Sequence, residues 1–176
     1  DEVVAVTRAG TDVTLHPLHR ERAPVVQPDA AALTPQVEHR GLLSPGVLAS
    51  FASTLARRPA AVVGTAATIL RECWGSRRLL LGGLVALPFA VDLARRVEHD
   101  GIDHVHCHFA THPALVGWVV HRLTGTPYSF TAHGSDLHRD RRMLATKVRD
   151  AAFVVTVSEF NRRVILETCG SGVGTP

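Results

Sequence analysis

The stretch "IDHVHCHFATHPALVGWVVHRLTGTPYSFTAHGSDLHRD", residues 102–140, decides how this chain folds. "IDHVHCHF" reads as a strand. "THPALVGWVVHRLTG" reads as a helix, with Thr111 as its cap and Pro113 in its first turn. "TPYSFTAH" is a second strand, and "SDLHRDRRMLATKVRDA" continues as a single helix. Beyond it, "AFVVTVS" predicts a third strand and "EFNRRVILETCG" a helix ending at a glycine. Strands alternating with helices over short connections imply a parallel sheet covered by helices. The run "AFVVTV" is apolar on both faces, the pattern of a strand buried within such a sheet.

Working outward, residues 1–9, "DEVVAVTRA", read as the end of a helix, with Gly10 a suitable cap. "DVTLHPL" follows as a strand. Residues 19–46 contain Pro24, Pro28, Pro35 and Pro45 with little periodicity and read as a long loop. From Val47 to His99 the sequence is helical in character, with Pro59, Gly75 and Pro88 breaking it into two or three helices. No internal repeat or low-complexity tract is visible.

A length of 176 residues suits one domain with a sizeable core. The net charge of +3 comes from scattered arginines, with Lys147 the only lysine, which speaks against a nucleic-acid surface. Cys73, Cys107 and Cys169 are odd in number and far apart, so neither a disulfide framework nor a thiolate zinc site is indicated, and a reducing compartment is the simpler setting. The longest uncharged apolar stretches fall short of the roughly 18–20 residues of a membrane-spanning helix.

In an open parallel sheet, ligands bind beyond the carboxyl ends of the strands. All three strands end in polar residues: His106, Cys107 and His108; then Thr131, His133, Gly134, Ser135 and Asp136; then Ser158, Glu159 and Asn161. Ser135 or Asp136 and Ser158 also suit helix caps. His133 is harder to explain in that way, because histidine is a poor cap. The pair His106 and His108 could begin a hydrolytic metal centre, but "HCHFAT" supplies no carboxylate, and Asp103 lies at the other end of the strand. Metal binding is therefore the minority reading.

With these motifs in order, the chain resembles the N-terminal domain of the family 4 retaining glycosyltransferases, which have the GT-B fold. The resemblance runs from "DEVVAVTRAGTDVTLHPL" to "AAFVVTVSEFNRR", with residues 19–99 as its variable part. It implies one Rossmann-like α/β domain over residues 1–176, a parallel sheet flanked by helices, forming the acceptor side of a two-domain enzyme. That enzyme would transfer a sugar from a nucleotide-sugar donor to a glycan, lipid-linked or small-molecule acceptor, with retention. His133 would be catalytic, and His106, His108, Gly134, Asp136, Ser158 and Glu159 would bind substrate. No cofactor or metal is expected, because positive side chains and a helix N-terminus in the other domain would stabilise the leaving phosphate.

The family's first strand and glycine-rich turn are expected before Asp1, and its donor domain after Pro176, so the chain is expected to be a fragment inactive by itself. A cytoplasmic setting follows. The arginine-bearing helices would suit peripheral contact with the inner face of the membrane, although a solvated helix face is the plainer reading. The alternatives are a non-catalytic α/β module binding a sugar or partner, and a metal-dependent hydrolase using the His-x-His strand.

Overall fold

A computed structural model of the chain describes residues 2–19 and 34–170. The expected loop around Pro24 and Pro28 lies outside these residues. In chain order the helices are α1 (Glu2–Arg8), α2 (Pro45–Arg57), α3 (Pro59–Glu72) and α4 (Arg77–Asp100), then α5 (His112–Thr124), α6 (Ser135–His138), α7 (Leu144–Asp150) and α8 (Glu159–Cys169). The strands are β1 (Val105–His108), β2 (Tyr128–Ala132) and β3 (Phe153–Thr156). All three pair in parallel in the order β1-β2-β3, with His106 opposite Ser129 and Thr131 opposite Val155. The expected α/β arrangement, a parallel sheet flanked by helices, is present.

Alternation along each strand sorts the side chains onto two faces. Cys107, Tyr128, Phe130 and Ala132 point into the core, where α5 covers them with the fully buried Trp118, Val119 and Val120. Gly117 allows this contact: a β-carbon there would lie 2.5 Å from the Cys107 sulfur and 3.0 Å from the Tyr128 ring. On the far side of α5 lies α4, contributing Phe89, Ala90 and Val91 to the same core.

Several expected elements take a different form. "DVTLHPL" is not a strand: Leu15 alone pairs with Val37, in an isolated parallel bridge. Pro17 has no N–H to extend a ladder, and His16 turns toward Arg96 instead. Pro59 and Gly75 separate helices as expected, but Pro88 lies inside α4 without ending it. An interior proline costs about 3 kcal/mol, and burial of Phe89 and Val91 on the following turn offsets it. Thr111 precedes α5 but makes no capping bond through its side chain. The single helix expected over 135–151 is two. The Asp140 carboxylate accepts from the Arg142 N–H at 3.1 Å, and Met143 enters the left-handed region at φ 61°. Finally, β3 is not buried on both faces: Phe153 is 51% and Val155 43% exposed, as is Val157 just beyond it at 62%.

Candidate functional site

The carboxyl ends of β1 and β2 bring three of the expected site residues together. His106 and His108 sit two apart on β1 and so share a face, with ring centres 5.3 Å apart. His108 lies over His133 at the end of β2, with centroids 5.7 Å apart and 26° between planes, and Nδ1 of the first is 3.4 Å from Nε2 of the second. His108 and His133 are both exposed. Phe109 leans on the same imidazole, its ring centre 4.8 Å from that of His133. It does so from a strained backbone, φ 80°, which non-glycine residues seldom adopt.

Behind these rings runs a line of hydroxyls. Ser129 Oγ shares hydrogen bonds with His104 Nε2 at 2.6 Å and His106 Nδ1 at 2.7 Å, and Thr131 Oγ1 with His106 Nε2 at 2.9 Å. Burial lowers the pKa of His104 and His106; for His106 the Glu2 carboxylate opposes that shift, while His108 and His104 add to it. Both rings are therefore held neutral, each giving or taking one proton with a hydroxyl.

The turn after β1 is fixed from two directions. Asp136, 7% exposed, accepts the Ala110 N–H at 2.6 Å through one oxygen and the His133 N–H at 2.9 Å through the other. The Lys147 ammonium, only 3% exposed, donates to the carbonyl of the same Ala110 and, at 3.4 Å, to that of Thr111. Burial brings the Lys147 pKa down to about 8, against the attraction of nearby acidic groups, Asp136 among them. Ala110, the residue that follows Phe109, is thus gripped at its N–H and at its C=O.

Asp136, expected among the substrate-binding residues, is buried instead, with both its oxygens accepting from backbone amides. Ser158 caps α8, accepting the Asn161 N–H at 3.2 Å. Glu159 is exposed and pairs with Arg162 at 3.0 Å. Gly134 turns at φ 90°, and a β-carbon there would meet the Asn161 amide at 3.3 Å, so its bareness serves the approach of α8 to the end of β2.

Three participants carried little signal in the sequence. Phe109 resembled one more strand residue. Lys147 was marked only by being the sole lysine among arginines, a hint that a compact ammonium was required. Glu2, distant in sequence, reaches His108 Nε2 at 3.4 Å and His106 Nε2 at 3.7 Å. It supplies the carboxylate that "HCHFAT" lacks, and one donor atom from each of Glu2, His106 and His108 falls within 4.8 Å of the others. His106, however, already has both ring nitrogens engaged by Ser129 and Thr131. A recess of about 450 Å³ lined by Thr65, His121, Arg122 and Asp150 opens at the opposite edge of the sheet, away from these groups.

Residues 5–172 match the model of Glycosyltransferase Family 4, and the chain belongs to that family. No curated protein and no solved structure matches it. No described helix is long and apolar enough to cross a membrane.

Proposed function

We propose that this glycosyltransferase-family chain supplies the acceptor side of an enzyme that moves a sugar from a nucleotide-sugar donor to a glycan, lipid-linked or small-molecule acceptor with retention of configuration. The observation that carries the reading is the exposed His133 imidazole, backed by His108 and Phe109 and set at the sheet edge by the Asp136 carboxylate on its own N–H. A sugar presents hydroxyls, and an imidazole can donate to one or accept from it. As the glycosidic bond to phosphate lengthens, positive charge grows at the anomeric carbon. A ring fixed in advance meets that change through its hydrogen bond without reorganising. His106 and His108 extend the polar surface toward the acceptor, and Gly134 lets α8 approach its border. Asp136 and Lys147 act as positioning residues, while Ser158 and Glu159 shape the start of α8 at its border.

The reaction needs no resident metal in this reading, because His106, the innermost candidate ligand, already spends both nitrogens on hydroxyls. One equivalent of tightly held zinc, iron or manganese, lost on changing His106 and His108 together to alanine, would instead favour a hydrolytic centre built with Glu2.

The direct test is His133→Ala in the complete product of the gene, with sugar transfer normalised to folded enzyme. Losing one preorganised contact of this kind costs about 2.7–4 kcal/mol of barrier, roughly a hundred- to a thousandfold in turnover. The melting temperature should not change, since the ring is exposed. Turnover near wild type overturns the assignment.

A further inference from the structure

Phe109 stands at the histidine edge with 46% of its surface exposed, and it takes no place in the hydrophobic core. Its backbone, by contrast, is held on every side. The Phe109 N–H donates to the Thr131 carbonyl at 3.0 Å, and its own carbonyl accepts the Ala114 N–H at 3.2 Å. One residue on, Asp136 and Lys147 hold both polar groups of Ala110. These contacts keep φ at 80°, a conformation that is unfavourable for any residue with a β-carbon and easy for glycine. Phe153 and Phe160 are exposed as well, but neither has a left-handed backbone.

Burying an ammonium and a carboxylate is unfavourable unless both are well partnered, and here both act on the residue beside Phe109. Were a change of chain direction all that is needed, glycine at position 109 would meet it without strain. What the arrangement secures is the place of the ring. That ring lies 4.8 Å from the His133 imidazole, which itself lies 5.7 Å from that of His108. An apolar aromatic surface is thus bordered by two exposed imidazoles. The pairing matches a pyranose, which gathers C–H bonds on a face and carries hydroxyls around its rim. Those C–H hydrogens, made slightly positive by neighbouring oxygens, suit the negative face of an aromatic ring. The rim hydroxyls suit imidazole nitrogens.

We propose that Phe109 is a specificity-determining residue that stacks on the acceptor, and that the acceptor ends in a pyranose with an open C–H face, such as a glucopyranoside. This rests on the sugar-transfer reading and narrows it. A linear polyol or a bare phosphate would offer partners to the imidazoles but would leave the Phe109 ring uncovered. A pyranose seated on that ring has its rim beside His133, where the transferred sugar is received. The clamp on Ala110 then has a purpose beyond folding: it holds a flat apolar surface still, so that a weak and orientation-dependent contact can select its ligand.

The test uses the purified chain and methyl β-D-glucopyranoside at millimolar concentration, with binding read by saturation transfer from the protein to the sugar protons. Sorbitol, which carries comparable hydroxyls without a rigid C–H face, is the comparison. The expected result is transfer to the ring C–H protons of the glucoside and none to sorbitol. Phe109→Leu keeps an apolar side chain without the π face and should weaken binding roughly three- to tenfold. Phe109→Tyr keeps the face and should bind as the wild type does. Phe109→Gly should lose binding while the melting temperature holds or rises, because glycine relieves the strain. The proposal is overturned by a glucoside that does not bind, by sorbitol that binds equally, or by Phe109→Leu with wild-type affinity. A sharp fall in the melting temperature of Phe109→Gly would also overturn it, by assigning the ring to folding. No donor is present in these measurements, so their failure would leave the turnover test on His133 standing.

Discussion

The two faces of the sheet are built from the same three strands and behave as different materials. On the side of α5, Cys107, Tyr128 and Phe130 are closed in, and their polar atoms are either spent or suppressed. The Cys107 thiol is pushed up to about 12 by burial, and the Tyr128 hydroxyl donates to the Lys147 carbonyl. On the other side, His104, His106, Ser129 and Thr131 form a hydrogen-bonded line beside the open apolar rings and branches of Phe153, Val155 and Val157. One residue step along a strand separates a position that carries stability from one that carries chemistry. Substitutions on the closed face should therefore cost folding, and substitutions on the open face should cost activity.

The largest test straddles the two faces. Asp136→Ala leaves the amides of Ala110 and His133 without partners, at about 1–3 kcal/mol for each buried group. The melting temperature should fall, and turnover of the remaining folded enzyme should fall with it, because His133 loses its anchor. A variant that melts lower yet turns over normally would separate the clamp from the site.

Gly117→Ala probes the closed face alone. The new methyl group meets the Cys107 sulfur at 2.5 Å, so α5 or β1 must shift, at about 1–3 kcal/mol. Thermal melting should show it clearly, with activity per folded molecule retained. An unchanged melting temperature would mean that this face is less tightly packed than its distances state.

Ser158→Ala should cost about 1 kcal/mol, the worth of a helix cap, with little effect on sugar transfer. A loss of transfer well beyond the loss of folded protein would restore Ser158 to the binding surface.

The smallest expected effect is that of pH on the open face. His104 and His106 have pKa values below the 6.5 of the unfolded chain, so unfolding takes up protons as the solution is acidified. Their contribution to stability is complete above pH 6.5 and is lost as the pH falls from there toward their folded values. His16 and His112 shift in the same direction, also through burial. Changing His104 and His106 to glutamine should flatten the fall in melting temperature below about pH 6.5 without abolishing it. An unaltered slope would remove these two rings from the account.

The order of elements from β1 to α8 was readable because turn residues and short connections punctuate it. Local chemistry was less so. The break at Asp140 to Met143 arises from one carboxylate folding back on its own backbone, and helical periodicity runs straight through that. The openness of β3 depends on what lies above it, and a run of valines reads alike whether covered or bare. His133 could be singled out because histidine has no structural reason to end a strand before glycine. Glu2 and Lys147 could not, since only the fold brings α1 and α7 to the end of β1.

The buried Lys147 has an experimental consequence. It is the only lysine of the chain, 3% exposed, with its amine against the Ala110 carbonyl. Amine-directed acylating reagents have one side chain to modify, and they reach it only when α7 lifts away from the turn after β1. The rate of labelling at that residue is therefore a clock for this single local opening, readable by mass and without any reporter being introduced. A ligand seated on the histidine edge should slow the clock in proportion to its occupancy.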